Sequence, residues 1–272
     1  MPELPEVETV IRGLSILQGK QLLSVKLYND KWRHPVPFKD IQTQIGNTVI
    51  DLKRRAKWPA LVFNSGCLWL HLGMTGQLII YNLIDLPERK KHDHLDLFFS
   101  ENLVLRFTDP RRFGVVAWTE GASSEPPSKQ KLGFEPFDIS WTNNMFYSQL
   151  QKINKNIKVT LMEGKQVVGV GNIYASESLF LSHISPLRSS NSLTFEESSL
   201  LRKNIIEILE KSINHGGSTL KDHRQANGEK GSYQDNHLIY GKEGKPCPVC
   251  SNKIIKIEQG GRSTFYCSFC QH

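Results

Sequence analysis

The sequence predicts an α+β chain of several domains, and three features predict it. The first half is broken into about eight short apolar runs separated by turn-forming residues, the pattern of a β-sandwich or flattened barrel. The second half carries apolar residues at helical spacing. The last 26 residues hold four of the five cysteines, arranged as two Cys-x-x-Cys pairs. At 272 residues the chain is long enough for more than one core. Its formal charge of +7 suits a polyanionic partner without requiring one. No apolar run reaches the roughly 18 residues of a membrane span, and no basic-then-apolar leader is read. The expectation is therefore a cytoplasmic chain with no membrane partner.

The first element is Met1-Pro2-Glu3-Leu4-Pro5-Glu6 and the helix it starts. A small second residue permits removal of Met1, which makes Pro2 a terminal secondary amine. An α-amino group titrates at roughly 7.7–8.0, so a useful fraction is nucleophilic near neutrality. Its attack on an aldehyde or a sugar C1′ gives an iminium ion, an electron sink. Glu3 stands beside it, where a carboxylate can move protons. Pro5 suits a first helical turn and Glu6 complements the helix dipole. The competing reading is that the prolines only start this helix and the glutamates only cap it.

Strands are expected at Leu22 to Leu27, Thr48 to Leu52, Ala60 to Phe63, Cys67 to Leu72, Gln77 to Tyr81, Leu95 to Phe99, Leu103 to Phe107 and Val115 to Trp118. Pro59 removes a backbone donor, so an edge or a bulge is expected there. The cationic run Lys53-Arg54-Arg55-Ala56-Lys57 suits phosphates, or a solvated strand end. Gly73 and Gly76 flank a turn presenting Met74, which a core position would equally explain. Thr108-Asp109-Pro110-Arg111-Arg112-Phe113-Gly114 reads as an exposed turn whose arginine can read a base edge and whose phenylalanine can wedge between bases. His92 and His94 lack a third metal ligand at an obvious spacing.

A polar, proline-containing stretch near Gly121 to Lys129 marks a linker. Helices follow at Phe146 to Lys152, Ile157 to Met162 and 174–182, and Thr194 with Glu197 forms a capping box for a longer one ended by Gly216-Gly217. Gly169 and Gly171 leave room for close backbone approach before Asn172, which can bond a phosphate or simply cap a helix. Ser218 to His237 reads as a mobile loop, with Lys221 and Tyr233 its residues of interest. Cys247, Cys250, Cys267 and Cys270 have the spacing of a structural zinc site, whose four thiolates leave no open position for water. Between the pairs a hairpin turns at Gln259-Gly260-Gly261-Arg262, with Arg262 at its tip.

The opening hexapeptide, the Asp-Pro-Arg-Arg-Phe-Gly turn, Val167 to Glu177 and the cysteine hairpin together resemble bacterial formamidopyrimidine-DNA glycosylases along nearly the whole chain. The resemblance implies a helix-two-turn-helix device in the helical half. It also implies a catalytic set of Pro2, Glu3, Lys57 and Arg262. DNA contacts would come from His71, His92, Arg111, Lys158, Asn172 and Arg262, and Met74, Arg111 and Phe113 would fill the gap left by a flipped nucleotide. One structural zinc, duplex DNA carrying oxidised or abasic sites, no nucleotide cofactor and a monomer complete the expectation. The implied domains are 1–133 (catalytic), 134–236 (helix-two-turn-helix) and 237–272 (zinc hairpin). Trp58-Pro59 and Val159 depart from the family pattern. Two alternatives stay open: an endonuclease VIII-like enzyme for oxidised pyrimidines, and a non-catalytic binder of damaged DNA.

Overall fold

A computed structural model describes residues 2–29, 32–121, 125–128, 131–219 and 224–272. The chain forms two compact units, Met1–Lys129 with His215–Gln234, and Gln130–Asn214 with Asp235–His272.

In the first unit, helix α1 (Leu4–Gly13) precedes β1 (Leu22–Leu27), a short helix α2 (Phe38–Gln42), and strands β2 (Asp51–Arg55), β3 (Trp58–Phe63), β4 (Gly66–His71), β5 (Gln77–Asn82), β6 (Asp93–Phe99), β7 (Leu103–Thr108) and β8 (Val115–Glu120). Among the described residues these strands make two four-stranded antiparallel sheets, β1-β6-β7-β5 and β2-β3-β4-β8. Alternation explains why they stack. Leu61, Phe63, Leu68 and Leu70 of one sheet share a core with Leu95, Leu97, Leu105 and Phe107 of the other. Val7, Val10 and Ile11 of α1, with Leu14 just after it, close the same core. The opposite face of β3 and β4 buries Ala60, Val62, Cys67 and Trp69 in a smaller cluster.

Two expectations change. The strand read at Thr48 to Leu52 lies three residues later, at Asp51–Arg55, so Lys53, Arg54 and Arg55 of the cationic run lie in the strand and Ala56 and Lys57 in the turn after it. The expectation at Pro59 holds only locally: there is no bulge and β3 as a whole is not an edge strand, but Pro59 itself has a strand neighbour on one side alone. β3 lies inside its sheet, and Pro59 pairs with Arg54 on the β2 side, while pairing with β4 begins only at Ala60. The missing donor therefore falls at the strand end that has one neighbour.

The second unit contains α3 (Asn143–Leu150), α4 (Ile157–Met162), α5 (Asn172–Leu181), α6 (Phe195–Asn214) and the hairpin β9 (Ile255–Gln259) and β10 (Arg262–Tyr266). The capping box forms as read: the Thr194 N–H donates to Glu197 Oε2 at 2.9 Å and the Glu197 N–H to Thr194 Oγ1 at 3.2 Å. α5 is buried from Ile173 to Phe180, and Phe180 joins Ile239, Ile254, Phe265 and the cysteines in a small cluster. Helical and hairpin residues thus share one unit.

The segment His215–Gln234 belongs to the first unit, not with the helices that precede it. Ala226 is buried in the sandwich core and its carbonyl accepts the Ile80 N–H at 2.9 Å. Tyr233 is buried, its ring tilted against that of His215. Lys221 lies outside the described residues.

Candidate functional site

Pro2 is buried and immediately precedes α1, whose cap is Glu3. Glu3 and Glu6 form a reciprocal capping box, with the Glu3 N–H donating to Glu6 Oε2 at 2.8 Å. The other Glu6 oxygen accepts the Ser218 N–H at 2.7 Å, joining the segment at 215–234 to the start of the helix. The capping that the sequence offered as a rival reading is thus real, and it fixes the backbone beside Pro2. The sequence did not single out Ser218 or this second bond, because a separation of 212 residues leaves no local signal.

Lys57 stands at the tip of the β2–β3 hairpin, next to Ala56 in the left-handed region at φ 54°. A non-glycine residue there is strained. Arg54 holds the turn, donating to the Ala56 carbonyl at 3.1 Å and to Glu8 Oε2 at 2.7 Å. Burial alone would raise the Glu8 pKa, but bonds and charge from Arg54 and Arg12 hold it below the usual carboxylate range. Trp58 lies over His71 at 4.7 Å between ring centroids. His71 Nδ1 accepts the Gly73 N–H at 3.1 Å, which leaves the proton on Nε2. Burial, and then the Lys57 ammonium, push its pKa down to about 4. At neutral pH His71 is therefore an uncharged donor.

Met74, Arg111 and Phe113 sit on two touching loops. Gly73, at φ 58°, has no room for a side chain, since a Cβ would lie 2.5 Å from the Phe113 carbonyl carbon. The Arg111 guanidinium lies over the Phe113 ring at 4.7 Å, and both side chains are exposed while Met74 is half-buried. The nearby His92 is half-buried too.

In the second unit, Lys158 departs from the expected DNA contact. It is fully buried, and its ammonium donates to Asn172 Oδ1 (2.6 Å), the Ser263 carbonyl (3.1 Å) and Thr264 Oγ1 (2.7 Å). A charge enclosed by three protein acceptors orders its neighbours and does not face solvent. Asn172 opens α5 and also donates through Nδ2 to the Ser263 carbonyl at 2.9 Å. Val159 leaves the start of α4 in place at Ile157 and lies beside Gly260 in the hairpin turn. Gly260 and Gly261 both have positive φ, as a type I′ hairpin turn requires, and Arg262 beyond them is exposed. Glu177, which the sequence reading did not single out, is buried and accepts the N–H groups of Leu238, Ile239 and Tyr240 at 2.7–3.0 Å.

The four cysteine sulfurs lie within 4.8 Å of one another, the one such cluster among the described residues. Cys247 and Cys270 are 3.9 Å apart and Cys250 and Cys267 3.5 Å apart, sulfur to sulfur. Tetrahedral zinc with bonds of about 2.3 Å separates its sulfurs by about 3.8 Å, so the donor set fits one such ion.

Residues 1–116 match the formamidopyrimidine-DNA glycosylase N-terminal domain, 132–224 its H2TH domain, and 244–272 the zinc finger found in FPG and IleRS. The formamidopyrimidine-DNA glycosylase of Neisseria meningitidis serogroup A is 40% identical over 274 residues, covering all of both chains. That of Proteus mirabilis is 43% identical and covers 100% of this chain and 98% of its own. The chain belongs to the formamidopyrimidine-DNA glycosylase family. It is accordingly a DNA glycosylase of base-excision repair with one structural zinc held by the cysteine cluster. Among solved structures, MutM (Fpg) from Thermus thermophilus superposes with a TM-score of 0.87 at 34% identity, covering 99% of this chain and 98% of that one. Lactococcus lactis Fpg, bound to DNA containing N7-benzyl-Fapy-dG, gives 0.90 at 35% identity, covering 99% of each chain. MutM bound to DNA containing carbocyclic 8-oxo-G gives 0.89 at 35%, also over 99% of each. Among the described residues no helix is long and apolar enough to cross a membrane.

Proposed function

We propose that this glycosylase removes oxidised purines, 8-oxoguanine and formamidopyrimidines, from duplex DNA and then nicks the strand, acting as a monomer on the chromosome in the cytoplasm. The observation that carries the reading is Pro2 set directly before a doubly capped helix start, in a chain matched end to end by formamidopyrimidine-DNA glycosylases. A damaged base inside a duplex is out of reach, and extruding it costs a few kcal/mol. Met74, Arg111 and Phe113 offset that cost by occupying the gap, with Arg111 reading the opposite base. Lys57, Asn172 and Arg262 bind phosphates, and His71 and His92 supply backbone contacts.

With Met1 removed, the Pro2 nitrogen attacks C1′, the N-glycosidic bond breaks and the base leaves with a proton. Glu3 relays protons as the sugar ring opens to an iminium. Loss of the C2′ proton expels the 3′ phosphate by β-elimination, and a second proton loss expels the 5′ phosphate by δ-elimination. The zinc takes no part in these steps, since four thiolates fill its coordination shell.

Borohydride trapping on a duplex carrying 8-oxoguanine opposite cytosine tests this, with protein whose amino terminus has been sequenced. The expected result is a covalent adduct with the Pro2-ended chain that is absent in Pro2→Gly. Trapping on abasic DNA alone would remove 8-oxoguanine as substrate. No adduct on either duplex would sink the lyase reading in favour of a binder of damaged DNA.

A further inference from the structure

We infer that Asp109 is the positioning residue for the intercalating side chains: it locks the loops bearing Met74, His92, Arg111 and Phe113 into one body, so that they enter DNA together. The inference rests on the gap-filling reading above. Asp109 is fully buried. Its Oδ1 accepts the Thr75 hydroxyl at 2.5 Å and the Arg111 N–H at 3.3 Å, and its Oδ2 accepts the Gly114 N–H at 2.7 Å. Thr75 Oγ1 shares the Arg111 N–H at 3.2 Å, so the loop of Met74 and the loop of Arg111 meet on one carboxylate.

The backbone of Asp109 ties in a third segment. Its N–H donates to the His92 carbonyl at 2.9 Å. Its carbonyl accepts from His94 Nε2 at 2.8 Å and from the Arg112 N–H at 3.3 Å. Every hydrogen-bonding group of one residue is thus engaged by a segment that carries, or adjoins, an intercalating or DNA-facing side chain.

The glycines give independent support. A Cβ at Gly114 would lie 2.7 Å from the Phe107 ring and 3.1 Å from Asp109 Oδ2, and Gly73 meets the Phe113 backbone directly. Small residues occur where the loops must close on this carboxylate. A buried acceptor with two oxygens is needed because the turn Arg111 to Gly114 leaves N–H groups without strand partners. Thr75 and Asp109 touch no reacting atom in this scheme. They set where Met74, Arg111 and Phe113 stand.

The test is single-turnover excision of 8-oxoguanine opposite cytosine and opposite adenine, set against cleavage of a preformed abasic site, for full-length zinc-loaded protein. Asp109→Asn puts an amide where two or three donors converge, and Thr75→Val removes the hydroxyl, whereas Thr75→Ser keeps it. Losing one such bond is expected to slow excision about 10-fold in Thr75→Val, and losing several about 100-fold in Asp109→Asn. The preference for cytosine over adenine should fall with it, abasic cleavage should stay within about 3-fold, and Thr75→Ser should restore both excision and preference. Adding Arg111→Ala to Asp109→Asn should cost little more, because residues acting as a unit are not additive.

Unchanged excision and base preference in Thr75→Val and Asp109→Asn, with both lost in Arg111→Ala, would overturn the inference and leave the gap-filling reading standing. An equal loss of excision and abasic cleavage would also overturn it, since that is a general structural defect. If Met74→Ala and Arg111→Ala changed nothing either, the gap-filling reading would fall and this inference with it. Should Asp109→Asn not fold, the Thr75→Val and Thr75→Ser pair decides alone.

Discussion

Each unit presents an exposed arginine at a short turn, and each braces that turn with a buried side chain, an acceptor in the first unit and a donor in the second. Arg111 stands on a turn whose N–H groups lack strand partners, and a buried carboxylate, Asp109, collects them. Arg262 follows a hairpin turn whose neighbours are oxygens, the Ser263 carbonyl and Thr264 Oγ1, and a buried ammonium, Lys158, serves them. The sign of the buried group follows from which backbone or side-chain atoms the loop leaves to be paired, not from the charge it displays. The two also differ in what surrounds the brace. The sandwich loops rest on a large apolar core, whereas the hairpin rests on a few apolar residues and four cysteines.

The largest effect should therefore come from taking the metal away. Structural zinc contributes on the order of 10–16 kcal/mol in small modules of this kind. Chelation is expected to unfold the hairpin and abolish tight binding to abasic DNA while the sandwich keeps its near-ultraviolet signal. If binding survived stoichiometric zinc release, the brace at Lys158 would be holding the hairpin without the ion, and the two units would not differ in this way.

A smaller effect separates the brace from the arginine it serves. Lys158→Met leaves buried acceptors unpaired and should lower stability by about 2–4 kcal/mol in urea unfolding. Affinity should fall as Asn172 and the hairpin shift, yet the slope of log affinity against log salt should not change. Arg262→Ala should do the reverse: stability within about 0.5 kcal/mol, but a slope shallower by about one. A shallower slope in Lys158→Met would mean that this lysine reaches phosphate after all.

The smallest effect belongs to the third cation, Lys57, whose hairpin is braced by the partly exposed Arg54–Glu8 pair. The Glu8 pKa is depressed in the folded chain, so its contribution is present above the unfolded value near 4.3 and is lost as pH falls through the folded value. Arg54→Met should cost about 1 kcal/mol or less at pH 7, and less once Glu8 is protonated, when the bond to the Ala56 carbonyl is still lost. A stability difference that did not shrink on protonation of Glu8 would assign the loss to the bond with the Ala56 carbonyl and to packing of the arginine stem.

Alternation and helical spacing placed the sandwich strands and the main helices, because both are local patterns. The cysteine spacing located the zinc cluster for the same reason. Motif resemblance picked out Lys158, but a motif carries no burial, and only the fold shows its ammonium enclosed by Asn172, Ser263 and Thr264. Asp109 lay in plain view inside a recognised turn. Its partners Thr75 and His92 come from separate loops, so no local pattern weighed it above its neighbours. Pro59 occupies an edge position inside an otherwise inner strand, which the sequence could not show, because a strand can have two neighbours at one end and one at the other.

The doubly bonded Glu6 makes the amino terminus a ruler. Helix α1 is clamped to the core, Glu3 is clamped to Glu6, and Glu6 is clamped to Ser218, so Pro2 is counted off from a fixed origin. Under the proposed chemistry, one residue inserted after Pro2 would carry the attacking nitrogen about 3.3 Å along an extended chain, when a misplacement near 1 Å already costs roughly 100-fold. Under that scheme this stretch should tolerate a change of composition at an exposed position such as Arg12 far better than a change of length.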